Sequence, residues 1–306
     1  MTKPKPLPEG LRARPFTVYE SRDMGVSPGR LRAKDLETAG RLIRVPSGVL
    51  PDLRERSRVL AKATPTAWVS HQTAALLSGL GLPSWLADET QVHLSKPHGL
   101  PRVRRDGVVG HRVRVFPGEV EEFDGIPMST PLRTWLDLAH TLPLPYLIAM
   151  GDQLIRIPRE RFEGRADPYA SPSDVAAIIR NHRKMKGVRK ASLALEQMRI
   201  GADSLPETFL RLAMVDAGLP EPELQIRVDP ADPWSPPADL GYREFRLAIQ
   251  YEGAHHRSRF QQSRDNRRDE AFVNAGWLYF KVNADDLAEG FVGAIERIRH
   301  GLRRAA

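Results

Sequence analysis

Cysteine is absent from all 306 residues, which excludes disulfides and thiolate-held metals. No apolar run approaches the roughly 20 residues that cross a bilayer, and no strongly amphipathic basic helix suits a membrane surface. The segment Met1 to Pro8 is polar and proline-rich, without the apolar stretch of an export signal. A soluble, cytoplasmic protein with no membrane partner is therefore expected. Internal repeats are lacking as well, and the short Asp229 to Pro237 loop is the nearest approach to low complexity. What remains is a chain with 41% hydrophobic content, enough for real cores, and a length that suits two or three domains. Its formal charge of +8 favours a polyanionic partner, because neutralising phosphates releases counterions. DNA is the partner expected.

The acids that matter most lie near the C-terminal end. Ala238 to Tyr242 and Arg246 to Glu252 read as two strands joined by a polar turn at Arg243 and Glu244. In the second strand Leu247, Ile249 and Tyr251 alternate with Ala248, Gln250 and Glu252, so Gln250 and Glu252 share a face, their Cα atoms roughly 7 Å apart. Asp239 on the other arm offers a further oxygen for a hard cation such as Mg²⁺ or Mn²⁺. Paired carboxylates of this kind are what metal-assisted phosphodiester hydrolysis recruits. A solvated hairpin with ordinary surface charge is the plain alternative. Glu207 stands near the start of a helix expected over Leu205 to Ala217. The order Ser204, Leu205, Pro206, Glu207 is a capping-box sequence, so Glu207 is read either as a cap or as a site acid.

Asp239, Leu240, Gly241 and Tyr242, followed by Leu247 to Gly253, resemble the core of very-short-patch-repair-like endonuclease domains in the PD-(D/E)XK superfamily. His256, then Arg264, Asp265 and Arg268, then Ala275 to Trp277 and Asp285 to Leu287, follow in the order usual there. The resemblance covers about the last hundred residues. It implies Asp239 as a metal ligand, Gln250 and Glu252 as the rest of the signature, and His256 with Arg268 at phosphate. Two positions depart from the pattern. Gln250 stands where an acid is usual, and an amide brings a neutral oxygen in place of a charge. Glu252 stands where the signature lysine falls, which leaves it as ligand or base. Arg264, Arg267 and Arg268 alternate with Asp265 and Asp269 on a helix expected to end at Gly276, and a salt-bridged solvated face is the better account of most of these charges. A buried strand over Trp277 to Val282 and a last helix capped by Asp285 or Asp286 are expected after it.

At the front, Thr17 caps a short helix through Met24, Gly25 turns, and Ser27 with Pro28 opens a second helix reaching about Ala39. Arg30, Arg32 and Lys34 lie on that second helix. Arg41 to Val45 and Gly48 to Leu50 read as two short strands, a wing carrying Arg41 and Arg44. The whole is winged helix-turn-helix grammar, with a small basic adaptor as its plain alternative. Pro15 to Leu50 resembles the N-terminal domain of AbiEi-type antitoxins of type IV toxin-antitoxin systems. That implies a DNA-binding repressor with a cognate toxin or other regulatory partner. The likeness continues through Ser70, His71, Thr73 to Ala75, Gly110 to Arg112 and Thr134 to Asp137. There an α/β unit is expected, with strands near Gln91 to Leu94 and Val108 to Val115 and a helix from Pro131 burying Trp135. His71, His93 and His111 stand too far apart in sequence to argue a metal site.

Arg156 to Pro172 reads as a linker. The expected fold is thus an α/β multidomain chain: a winged helix-turn-helix over 1–55, an antitoxin-like α/β domain over 60–160, a helical connector over 172–200 and a restriction-endonuclease-like α/β/α domain over 201–306. The expected function is DNA binding with Mg²⁺- or Mn²⁺-dependent DNA cleavage. The alternative is a non-catalytic antitoxin-like transcriptional regulator that keeps a degenerate nuclease fold for DNA binding.

Overall fold

A computed structural model of the chain describes residues 4–159, 164–232, 234–253 and 259–305, with backbone alone over 259–266. The chain forms two units, Met1–Thr141 with Asn181–Val188, and Leu142–Arg180 with Arg189–Ala306. Both mix helices with sheet, so the α/β multidomain class is what the fold shows. Among the described residues no helix is long and apolar enough to cross a membrane.

The first unit begins with β1 (Phe16–Thr17), α1 (Val18–Asp23), β2 (Leu36–Thr38) and β3 (Ile43–Pro46), the strands ordered β1-β3-β2. Thr17 caps α1 as its sequence implies. Its hydroxyl accepts from the Glu20 amide at 3.0 Å and the Glu20 carboxylate accepts from the Thr17 amide at 2.9 Å, a reciprocal capping box. The second helix expected from Ser27 to Ala39 does not form. Only one 3-10 turn, Arg30–Arg32, follows Pro28 and Gly29, and the chain is extended again at Ala33. Gly29 is a poor helix former, and Leu36–Thr38 gains more by pairing with β3, where Leu36 packs against the small core of Leu11, Phe16 and Leu31. The strand expected over Gly48 to Leu50 is likewise absent, since β3 takes β2 as its partner.

Next come α2 (Leu53–Lys62), β4 (Trp68–Val69), α3 (His71–Leu77), β5 (Val92–Pro97), β6 (Val108–Val113), β7 (Val120–Phe123), β8 (Ile126–Ser129) and α4 (Pro131–Leu138). The strands make a mixed sheet ordered β6-β5-β4-β8-β7. Thr130 caps α4 by accepting from the Arg133 amide, Pro131 opens the helix, and Trp135 is fully buried on it.

The second unit holds α5 (Leu144–Ile155), α6 (Pro172–Asn181) but for its last residue, α7 (Val188–Gln197) but for its first, α8 (Leu205–Asp216), β9 (Glu223–Arg227), β10 (Pro237–Tyr242), β11 (Leu247–Glu252), α9 (Arg259–Asn274), β12 (Leu278–Asn283), α10 (Ala284–Ala288) and α11 (Val292–Ala305). Its sheet runs β12-β11-β10-β9, antiparallel except for the parallel β11–β12 pair. Leu240, Leu247, Ile249 and Val282 bury one face against Leu210 and Met214 of α8 and Ile295 and Ile298 of α11. On the other face Ala238 and Ala248 meet Phe272 of α9. The sheet therefore has helices on both sides, the layering that alternating small and branched residues on β10 and β11 support. At Gly241 a Cβ would lie 2.5 Å from the Leu247 carbonyl oxygen, so only glycine fits the close β10–β11 approach. Gly276 ends α9 at φ +74°, with the Trp277 amide donating back to the Phe272 carbonyl at 3.0 Å. The short helix after β12 is capped by Asn283, two residues before Asp285, and Asp286 replies from inside the helix rather than capping it.

Candidate functional site

Two adjacent strands and one helix start bring the C-terminal acids together. The antiparallel register Leu240↔Ile249 sets Asp239 beside Gln250. The Gln250 side-chain amide donates to Asp239 Oδ2 at 2.6 Å, and the Tyr251 backbone amide donates to the same oxygen at 2.8 Å. Asp239 and Gln250 are both buried. Gln250 Oε1, turned the other way, is buried with no hydrogen-bond partner. Leaving such an oxygen dry costs about 1–3 kcal/mol, which marks it as a place where a donor or cation is favoured.

Glu207 enters from the first turn of α8. Its carboxylate accepts from the Asp203 amide at 2.8 Å and from the Ser204 hydroxyl at 2.8 Å, while its own amide donates to Ser204 Oγ at 3.5 Å. The capping role is thus filled. Glu207 is nonetheless buried and within electrostatic reach of Asp239. Burial, and then the charge of Asp239, push the Glu207 carboxyl well above the usual range. Asp239 is pushed up as well, by burial first, against the Tyr251 amide, the Arg268 charge and the Gln250 amide, which favour its ionised form. Two acids that resist ionising together form a site where added positive charge is strongly favoured.

Glu252, at the end of β11, meets Lys281 Nζ at 2.9 Å. Lys281 also meets Asp269 of α9 at 2.5 Å. Arg268 donates from Nε to the Tyr279 hydroxyl at 3.1 Å and acts on Asp239 through its charge. Among the sequence candidates the fold therefore gathers Glu207, Asp239, Gln250 and Arg268, with Glu252 on the same face of β11 as Gln250. His256 lies outside the described residues, and so does the side chain of Arg264. Lys281 and Asp203 were missed by sequence reasoning. Asp203 stands one residue before a recognisable cap and was findable; Lys281 is 31 positions after Gln250, and only the parallel pairing Gln250↔Lys281 brings it near.

Among the described residues no group of three or more Asp, Glu or His side chains is arranged to hold a metal ion. The donor types still suit a hard divalent cation: carboxylates of Asp239 and Glu252, and the unpartnered amide oxygen of Gln250.

The basic candidates of the first unit divide by what they touch. Arg30 grips Asp35 through two nitrogens, at 2.8 and 2.6 Å, and also donates to the Lys5 carbonyl. Arg44 donates to the Leu31 carbonyl at 3.1 Å and the Ile43 carbonyl at 2.9 Å. Both hold the fold together. Arg32, Lys34 and Arg41 are exposed, and Arg41 sits in the turn between β2 and β3.

The scattered histidines meet. His71 and His111 stack at 3.7 Å between ring centroids, and His93 Nδ1 lies 3.0 Å from His111 Nε2. Burial drives all three below the ordinary imidazole range, to about 3, about 4 and about 3 for His71, His93 and His111, with the neighbouring imidazoles adding to the effect at His71 and His111. Asp137 Oδ2, fully buried, lies 4.0 Å from His71 Nδ1.

The chain is similar to two uncharacterized proteins of Mycobacterium tuberculosis, one from strain CDC 1551 / Oshkosh and one from strain H37Rv. Each is 27% identical over 237 residues, covering 76% of this chain and 80% of the relative. No family model and no solved structure matches it.

Proposed function

We propose that the protein is a cytoplasmic DNA-binding protein whose second unit hydrolyses DNA phosphodiesters with Mg²⁺ or Mn²⁺, on a PD-(D/E)XK-like site. The observation that carries this reading is the buried Glu207–Asp239 pair beside the unpartnered oxygen of Gln250. Burying two mutually repelling carboxylates costs stability unless a cation repays it, so such a pair points to a task. Asp239 and Glu252 would hold the ion. When bound it would lower the pKa of its water and offset phosphate charge. Gln250 completes the shell or orients the attacking water. Glu207 assists from the start of α8, and Arg268, whose charge is felt at Asp239, donates to a phosphate oxygen, with His256 assigned the same role by resemblance.

The front of the chain docks on duplex DNA in this reading, through Arg32, Lys34 and Arg41 around the β2–β3 hairpin, which serves as the wing of the antitoxin-like region. The net charge of +8 supports a phosphate partner. The test is cleavage of supercoiled plasmid and of labelled single- and double-stranded DNA with Mg²⁺ or Mn²⁺, wild type beside Asp239→Ala. Cleavage lost in the variant supports the nuclease and its site.

One observation favours a second reading, a non-catalytic antitoxin-like regulator. Gln250 turns its NH₂ toward Asp239, so the amide occupies with a donor the carboxylate that would bind metal. Salt-sensitive DNA binding without cleavage on every substrate supports that reading instead.

A further inference from the structure

The proposed site is rich in acids, and the lysine on its face comes from elsewhere in the sequence. Phosphodiester hydrolysis piles negative charge on the phosphoryl oxygens in the transition state, and a cation fixed beforehand stabilises it without reorganising. β11 offers no lysine: Glu252 follows Gln250 by two positions, and no Lys occurs from Leu247 to Gly253. The neighbouring strand does. In the parallel β11–β12 register Lys281 is the partner of Gln250, and Tyr279 and Asn283 are the partners of Ala248 and Glu252. Registered partners share a face of the sheet, so Lys281 stands on the face that carries Gln250 and Glu252.

Its ammonium is held from two elements at once. Glu252 Oε1 of β11 lies at 2.9 Å and Asp269 Oδ2 of α9 at 2.5 Å. A lysine side chain has considerable rotamer freedom to lose, and two carboxylates from different elements remove much of it before any substrate arrives. The side chain still has 43% of its surface open, against 19% and 22% for its two partners, so the ammonium is held yet reachable. It has three N–H donors, one more than the two carboxylates need. Burial is the largest single influence and disfavours the charge, but the hydrogen bonds and charges of Asp269 and Glu252 together outweigh it and raise the pKa.

We propose that Lys281, supplied by the strand beside the acidic one, is the catalytic cation of the second unit, donating to a non-bridging oxygen of the scissile phosphate; this rests on the nuclease reading above. Glu252 then has a second task, aiming Lys281, which explains why an acid serves well at that position. The ammonium donates a hydrogen bond and keeps its proton while a P–O bond forms to water and the P–O bond to the sugar breaks, its electron pair staying on the sugar oxygen, which ends with the proton that the water gives up.

The test is single-turnover cleavage of a labelled duplex with Mn²⁺ by wild type, Lys281→Gln, Lys281→Arg and Asp239→Ala, alongside duplex affinity and Mn²⁺ affinity. Expected for Lys281→Gln is a loss of about 100-fold or more in the saturated rate, the scale of removing one transition-state donor. Duplex affinity should fall by less than about threefold, because the variant gives up one phosphate partner among many. Mn²⁺ affinity should not fall, and Lys281→Arg should keep most of the rate. Cleavage within about threefold of wild type by Lys281→Gln, with Asp239→Ala inactive, overturns the assignment and leaves the nuclease reading standing. Weakened duplex affinity at an unchanged saturated rate also overturns it. If Lys281→Gln loses its thermal transition, the folded Lys281→Arg decides: retained cleavage supports the assignment and lost cleavage overturns it. Absence of cleavage by wild type on any substrate overturns both readings together.

Discussion

Gln250 donates its side-chain amide to Asp239 at 2.6 Å across the β10–β11 pair and leaves its own carbonyl oxygen buried without a partner. In the proposed nuclease reading the pair is half of a coordination shell; in the regulator reading it is an ordinary buried hydrogen bond. Replacing the amide with a carboxylate forces the choice between these. Gln250→Glu removes the donor and puts a third carboxyl group beside Asp239 and Glu207, two acids that already resist ionising together. In chelator its thermal midpoint should fall below that of wild type, and Mn²⁺ should raise it by more than in wild type, since ligand binding to the folded state alone stabilises by mass action. A variant whose melting ignores Mn²⁺ would speak for the regulator reading.

Much of the local structure was legible from residues alone. The strands around Asp239 and Glu252, the helix from Ser204, the glycine that ends α9 and the buried Trp135 helix are local matters of alternation and capping, and local chemistry decided them. Long-range pairing was not legible. Ser27 and Pro28 carry a sound helix start, yet Leu36–Thr38 pairs with β3 and stops it after a single turn. Lys281 and the meeting of His93 with His111 depend on parallel pairings, β11 with β12 and β5 with β6, whose register leaves no trace in a single sequence, and His71 joins them from α3. A side chain's neighbours across such a pair are set by which strands meet, and periodicity says nothing about that.

The basic residues at the front separate into two classes with opposite consequences. Arg32→Ala and Arg41→Ala should weaken duplex binding uniformly across sequences and lower the steepness of its salt dependence by roughly 0.9 for each phosphate no longer neutralised, with no change in stability. Arg30→Ala should act first on folding, because it breaks the bidentate pair with Asp35 and the bond to the Lys5 carbonyl. Binding titrations at several salt concentrations, beside urea melts, distinguish them. Equal salt slopes for wild type and Arg32→Ala with Arg41→Ala would remove the hairpin from the interface.

Asp152 holds the second unit together from α5. It accepts from the Arg199 amide at 2.7 Å and from the Thr208 hydroxyl at 2.8 Å, and meets the fully buried Arg211 at 3.3 Å. Burial pushes its carboxyl up to about 6, against the pull of Arg211 and of the three hydrogen bonds. Asp152→Ala strands the Arg211 guanidinium in the interior and should cost about 3–5 kcal/mol in urea unfolding, the usual consequence of removing one partner of a buried pair. A loss under about 1 kcal/mol would show that Glu221, which Arg211 also meets at 3.0 Å, and the Gln197 carbonyl, which accepts from it at 2.8 Å, suffice for the guanidinium.

Stability of the first unit should decline on acidification in a window set by His71, His93 and His111. Unfolded imidazoles take a proton near 6.5, whereas these three in the folded unit refuse it down to about 3 or 4. Between those values the unfolded state binds more protons, so stability is complete above about pH 6.5 and is lost as pH falls, each histidine contributing up to about 1.4 kcal/mol per pH unit. His93 is partly open to solvent, and its share is the smallest of the three. His111→Phe keeps an aromatic ring stacked on His71 and removes one titrating group, so the acid side of its stability profile should be shallower than that of wild type by about one proton. Urea melts of both proteins from pH 7.5 to 4 measure the two slopes directly; parallel slopes would mean that the stack opens early and its imidazoles titrate as they do in the unfolded chain.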